Sequence, residues 1–175
     1  MLILTGVLSF TNYKILGDAS FVGTSNYSRL FTDPTFWQAL GNTTLFVAVS
    51  TPVLVGVPFL LALLIEHPRL PFRGFFRTSF FAPQVMAVSM VAYIFLYMFQ
   101  PYTGLVNNIW KTLGLLSEKG EIYWLMNPVL VWVVIVLETL WWTGGFNMIL
   151  YTAGMQEIPE EYYECAALDG ITYWQ

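Results

Sequence analysis

The sequence predicts an all-α fold, a polytopic bundle of transmembrane helices, on three observations. Of its 175 residues, 57% are hydrophobic and only 10% are charged, whereas soluble domains carry about 25% charged residues. The charges are also missing in long blocks: none falls among the 32 residues between Asp33 and Glu66, or the 33 between Arg77 and Lys111. Finally, runs such as Leu60-Leu61-Ala62-Leu63-Leu64-Ile65 are apolar on every side, unlike the alternating strands of about ten residues that build a membrane β-barrel.

Each element follows from the length needed to cross a hydrocarbon core, about 20 helical residues. Three stretches qualify: 41–65, 79–99 and 129–151, the last interrupted only by Glu138. The opening MLILTGVLSF is too short to span, since ten helical residues rise about 15 Å. It lacks the basic n-region and the cleavage site of a secretory signal. It reads instead as the tail of a helix that begins earlier, and the chain stops at Gln175 within another element. The bundle is therefore expected to be incomplete at both ends, with 1–175 forming part of one transmembrane domain.

Basic residues orient the bundle, because cytoplasmic loops are enriched in Lys and Arg. The short loop 66–77 holds Arg69, Arg73 and Arg77, while 11–35 holds Lys14 and Arg29 and 100–128 holds Lys111 and Lys119. The arginine loop is assigned to the cytoplasm. The first span then runs inward, the second outward and the third inward, so 152–175 is cytoplasmic.

Within the spans, Pro52, Gly56, Pro58 and Pro83 are either packing kinks or gating hinges. Gly144-Gly145 either admits a close neighbour or loosens the helix beside a pathway. Glu138 is the ionisable group deep in a span. A carboxylate there carries an insertion cost of about 2.5–3.5 kcal/mol and turns toward the protein interior. With Trp141, Trp142 and Gly145 it follows helical spacing, so it forms either the polar wall of a translocation pathway, where indole faces suit the CH groups of a sugar ring and the carboxylate its hydroxyls, or a structural glutamate beside interfacial tryptophans.

Catalytic chemistry finds no support. The sequence has no HExxH, no phosphate-binding glycine loop and one histidine, His67, in the arginine loop. One cysteine, Cys165, excludes a disulfide framework or multi-cysteine metal site, and a net charge of -4 gives no footprint for nucleic acid. We expect no enzyme activity, no cofactor and no metal. ATP, if it drives this protein, must be bound by another chain.

The segment 155–175 carries the strongest local signals. Pro159 stands where a helix starts, and Glu160 and Glu161 complement the dipole of its first turn. Cys165, Ala166 and Ala167 form a compact patch, and Gly170 is placed to end the helix in a left-handed conformation. This stretch resembles the EAA motif of the membrane subunits of binding-protein-dependent ABC importers, through Glu164, Cys165, Ala166, Asp169, Gly170 and Ile171. Cys165 and Ile171 stand where the family commonly has alanine. Ala153-Gly154-Met155-Gln156-Glu157-Ile158-Pro159 resembles the lead-in to that motif, and Trp174-Gln175 its continuation.

Further matches occur in order along the chain and resemble the sugar-permease branch of the maltose-transporter type. They include Phe21-Val22-Gly23, Asn26-Tyr27, Leu30-Phe31-Thr32-Asp33-Pro34, Phe36-Trp37, Phe72-Arg73-Gly74-Phe75-Phe76-Arg77, Gly104, Asn107 and Gly145-Phe146-Asn147-Met148. The resemblance implies an inner-membrane permease working by alternating access, partnered by a second permease, cytoplasmic ATPase subunits and an external solute-binding protein. It implies that the EAA helix couples to the ATPase: Glu164 contacts it, Ala166 allows close packing, Asp169 belongs to the motif and Gly170 allows the following turn. Glu138, Trp141 and Trp142 are the candidate pathway residues. Two other classes are an ion-coupled secondary transporter titrating Glu138 and an assembly subunit of a membrane complex. Among importers, polyols, glycerol phosphates and polyamines are the alternative solutes.

Overall fold

In the computed structural model of the chain, residues 2–13, 20–67, 70–168 and 170 are described. The chain divides at Ala48 into two units.

The first unit begins with α1 (Leu2–Leu8) and an antiparallel pair, β1 (Thr11–Asn12) with β2 (Ser20–Phe21), in which Thr11 faces Phe21. Helix α2 (Ser25–Thr32) follows. Asn26 ties these pieces together: its Nδ2 donates to Ser9 O at 2.8 Å and to Thr11 O at 3.1 Å. The Tyr27 hydroxyl meets Ser9 Oγ at 2.6 Å, and its ring lies 5.5 Å from that of Phe10. Gly23 takes a φ of +56° at the turn between β2 and α2, a conformation that glycine adopts without a steric penalty.

Helix α3 (Pro34–Glu66) starts in this unit and continues through the second. The apolar pattern places its start near 41, but local chemistry starts it at Pro34. Asp33 Oδ1 accepts from Thr35 N at 2.8 Å, and proline is preorganised for a first helical position. Trp37 Nε1 donates to Phe31 O at 2.8 Å, fastening the entry. Polar residues near the start do not interrupt the helix: Thr43 and Thr44 hydroxyls donate back to Ala39 O and Leu40 O at 2.9 and 2.8 Å.

The second unit also holds α4 (Arg73–Phe81), a 3-10 turn (Ala82–Val85), α5 (Val88–Met98), α6 (Leu105–Thr112), α7 (Leu130–Gln156) and α8 (Glu160–Leu168). The stretch expected as one helix over 79–99 is broken. The segment Arg73–Val85 and helix α5 meet at 98°, because Met86 and Ala87 are extended, with ψ of 143° and 140°. Pro83 supplies no N–H in the 3-10 turn. Trp142 Nε1 donates to Met86 O at 3.3 Å, satisfying one carbonyl freed by the break. Neighbouring side chains make such breaks tolerable at membrane depth.

Helix α7 is longer than the stretch 129–151. Asn127 Oδ1 caps its beginning by accepting from Val129 N and Leu130 N at 2.9 and 3.1 Å. Two apolar clusters pack on it. Val134 joins Val91, Phe95, Phe99 and Trp124, with Trp142 against them. Met148 joins Ala62 and Ile65 of α3. Among the described residues, α3 and α7 are each long and apolar enough to cross a membrane, and the bent α4–α5 pair makes a third crossing if taken as one span.

Candidate coupling surface and translocation pathway

The candidate coupling segment is built from its flanks. Helix α7 ends at Gln156, and Glu157 N bonds back to Ala153 O at 3.2 Å. Pro159 precedes α8 and accepts from Tyr162 N at 3.1 Å, so the proline stands at the helix start where its missing N–H leaves nothing unpaired. Along α8, Glu164 and Cys165 are exposed. Tyr162, Tyr163 and Leu168 are 69%, 54% and 89% exposed. Ala166 lies in the helix, while Asp169, Ile171, Trp174 and Gln175 fall outside the described residues, as do Lys14 and Arg69. Gly170 has a φ of +78°, the left-handed conformation expected of a residue ending this helix.

The candidate pathway residues lie on α7. Trp141 is 42% exposed and its ring lies 5.8 Å from Phe95. It lines a cavity of about 420 Å³ with Val57, Leu61, Phe80, Pro83 and Gly145. Trp142 turns toward the helix break instead, with its N–H on Met86 O. Glu138 is half-buried, and no hydrogen bond among the described residues engages its carboxylate. Gly145 is enclosed: an added Cβ would collide with the backbone of Phe80 and lie 2.8 Å from Phe81 N.

A second cavity, of about 680 Å³, lies at the end of α5 and is lined by Tyr93, Tyr97, Phe99, Tyr102, Tyr123 and Met126 among others. The Tyr102 and Tyr123 hydroxyls are 3.1 Å apart. That hydrogen bond, with the Tyr102 charge behind it, pushes the Tyr123 phenol above its usual range. Beside the cavity, Asn107 is 1% exposed. Its Nδ2 donates to Pro101 O at 2.8 Å and Ile122 O at 3.1 Å, and its Oδ1 accepts from Trp124 Nε1 at 2.7 Å.

Sequence reasoning missed the polar knot at the other end of the bundle. Glu66 pairs with Arg77 and accepts from Gln156 Nε2 at 3.4 Å. The available signal was a carboxylate ending one apolar span and an arginine opening the next. Among the described residues no cluster of three or more His, Cys, Asp or Glu side chains could hold a metal.

Apolar crossing helices, a broken span and a short exposed helix beyond the last crossing define a multi-pass membrane protein. The match to known proteins makes this specific. The chain belongs to the family described as the binding-protein-dependent transport system inner membrane component, matched over residues 34–175. It is 38% identical over 154 residues to the lactose transport system permease protein LacF of Rhizobium radiobacter, covering 88% of this chain and 51% of that protein. It is 34% identical over 170 residues to the arabinooligosaccharides transport system permease protein AraP of Halalkalibacterium halodurans, covering 97% and 52%. The chain thus spans about half the length of the curated relatives it matches.

Among solved structures, it superposes with a TM-score of 0.82 and 27% identity on a bacterial ABC transporter that imports the acidic polysaccharide alginate, covering 100% of this chain and 58% of that one. A second alginate transporter structure, in complex with a periplasmic protein bound to alginate pentasaccharide, matches with a TM-score of 0.77 and 29% identity over 87% and 52%. The all-α permease fold, the multi-pass inner-membrane location and the sugar-permease resemblance are thereby established. The family's description is that of a transport-system membrane component.

Proposed function

We propose that this chain is part of a permease subunit of an ATP-driven sugar importer, and that α8 couples it to a separate ATPase. Relatives named for lactose and arabinooligosaccharides support a carbohydrate, and an alginate transporter bound to a periplasmic protein supports delivery by an external solute-binding protein. The observation that carries the coupling reading is α8 itself. It presents Tyr162, Tyr163, Glu164, Cys165 and Leu168 outward and is followed by a left-handed glycine. By the motif resemblance, Ala166 is assigned to close packing with a partner, Glu164 to contact through its carboxylate and Gly170 to the turn that follows, with Asp169 as a further motif position. A second permease subunit supplies the other wall of the pathway.

The test is purification of the complete protein in mild detergent, with co-purifying chains identified by mass spectrometry. A valine at Gly170 is strongly disfavoured at positive φ, whereas asparagine tolerates it. Gly170→Val is expected to lose the ATPase and reduce uptake about tenfold or more, a change of roughly 1.4 kcal/mol, while Gly170→Asn retains most of both. Wild-type protein that purifies without any ATPase overturns the reading and leaves Glu138-dependent secondary transport to be tested.

Of the three candidate pathway residues, we assign Glu138 as a hydroxyl acceptor and Trp141 as an aromatic wall, and give Trp142 the separate role of bracing the helix break beside it. Trp141→Ala is expected to raise the KM for sugar about tenfold with normal protein yield, as loss of roughly 1.4 kcal/mol of binding requires. Trp142→Ala should instead lower the yield, because Met86 O loses its donor. Equal effects of the two on yield would defeat the distinction.

A further inference from the structure

Glu66 ends α3, and its Oε1 accepts from two other helices: from Arg77 Nη2 on α4 in an ion pair, and from Gln156 Nε2 at the end of α7 at 3.4 Å. Beside it, Arg73 Nη2 at the start of α4 donates to His67 O at 2.7 Å. The Glu66 side chain is 20% exposed and that of Arg77 35%, so the pair is partly withdrawn from water and less screened than a surface contact. Directly above, Ala62 and Met148 are fully buried against Ile65, with Ile149, Tyr151 and Met155 around them. The ends of α3 and α7 and the middle of α4 therefore meet at one carboxylate beside a buried apolar contact. Helix α8 begins at Glu160, one short turn beyond Gln156.

We propose that Glu66 is a positioning residue that fastens the end of α7 to α3 and α4, so that a displacement of α8 moves these three helices as one body. This rests on α8 being the coupling helix. A pull on α8 reaches α7 through the few residues 157–159. Without the knot, α7 can yield at its own end, where the last carbonyls of a helix lack intrahelical partners. With it, the same pull is delivered to the arginine loop and to α3.

The experiment uses the complete permease with its partner subunits in proteoliposomes, measuring sugar uptake and ATP hydrolysis together. Glu66→Ala and Arg77→Glu are expected to keep the ATPase bound while uptake per ATP falls about fivefold, the lower end of typical coupling between sites. The charge exchange, Glu66→Arg with Arg77→Glu, should restore at least half of it. A purely structural role would lower the amount of complex and leave uptake per ATP unchanged, and that result overturns the proposal. A second arm joins Glu66→Cys to Gln156→Cys with a short bis-maleimide in a Cys165→Ala background. Cross-linking should raise uptake per ATP toward the wild-type value; a further fall with the ATPase still bound would mean that these ends must separate, and would overturn the proposal. Wild-type complex lacking an ATPase overturns the coupling reading itself, a result distinct from intact coupling in Glu66→Ala.

Discussion

Gly145→Ala is expected to remove most of the folded permease from the membrane, whereas Gly144→Ala, one residue away, is expected to be neutral or mildly stabilising. The two glycines meet different neighbours. A Cβ on Gly145 collides with the carbonyl group of Phe80 and approaches Phe81 N to 2.8 Å. These are backbone atoms, held where α4 passes into its 3-10 turn, and cannot rotate away as a side chain can. Overpacking a tight contact costs about 1–3 kcal/mol when side chains can adjust, and more is expected where only backbone can move. A Cβ on Gly144 meets only Leu140 Cδ1 at 3.4 Å and Pro58 Cγ at 3.8 Å, ordinary contact distances. Alanine there also recovers about 0.8–1 kcal/mol of helix propensity. The yield of monodisperse protein in detergent, with uptake per molecule, separates the cases. Wild-type yield and uptake from Gly145→Ala would show that α4 and α7 do not approach in this way.

The crossing helices are legible in the sequence because charges cannot lie in lipid cheaply, so the charge-free blocks 34–65 and 78–110 are where the crossing stretches are to be found. Where helices begin is set by single side chains that hydropathy does not weigh. Asp33 starts α3 and Asn127 starts α7, each by accepting from backbone N–H groups just downstream. The break after Pro83 was less legible still. Proline in a span reads equally well as a mild kink, and the 98° bend depends on two extended residues, Met86 and Ala87, and on an indole 56 residues away in sequence.

The candidate site divides along the same line. The EAA-like segment is a local pattern, so its helix and its left-handed glycine could be anticipated from proline, small residues and glycine in order. Helical spacing also placed Trp141 and Trp142 near one another, but it could not separate the indole lining a cavity from the one holding a carbonyl. The Glu66 knot joins residues 11 and 90 positions apart, and such contacts leave no periodic trace. Its members looked only like charged and polar residues at the ends of apolar runs.

Asn107→Asp is expected to collapse the order of the 100–128 segment. Asn107 uses an amide's two opposite capacities at once: its NH₂ group donates to Pro101 O and Ile122 O, and its carbonyl accepts from the Trp124 indole. It thereby joins α6 to the turn after α5 and to the chain leading into α7, while Trp124 packs its ring 5.6 Å from Phe99. An ionised aspartate is acceptor-only. It keeps the indole bond but turns an oxygen toward two carbonyls, at a site 1% exposed. Each buried polar group left without a partner costs about 1–3 kcal/mol. Asn107→Leu removes both capacities and is expected to be damaging too, but without the buried charge. Rising pH should therefore worsen the aspartate variant alone, since protonation at low pH restores a single donor. The readouts are the melting temperature in detergent across pH and the quenching of tryptophan fluorescence by an aqueous quencher, which should increase as Trp124 loses its shelter. A melting temperature for Asn107→Asp that matches the wild type at neutral pH would mean that the amide is not the fastening point, and that the apolar packing of Phe99, Trp110 and Trp124 holds the segment alone.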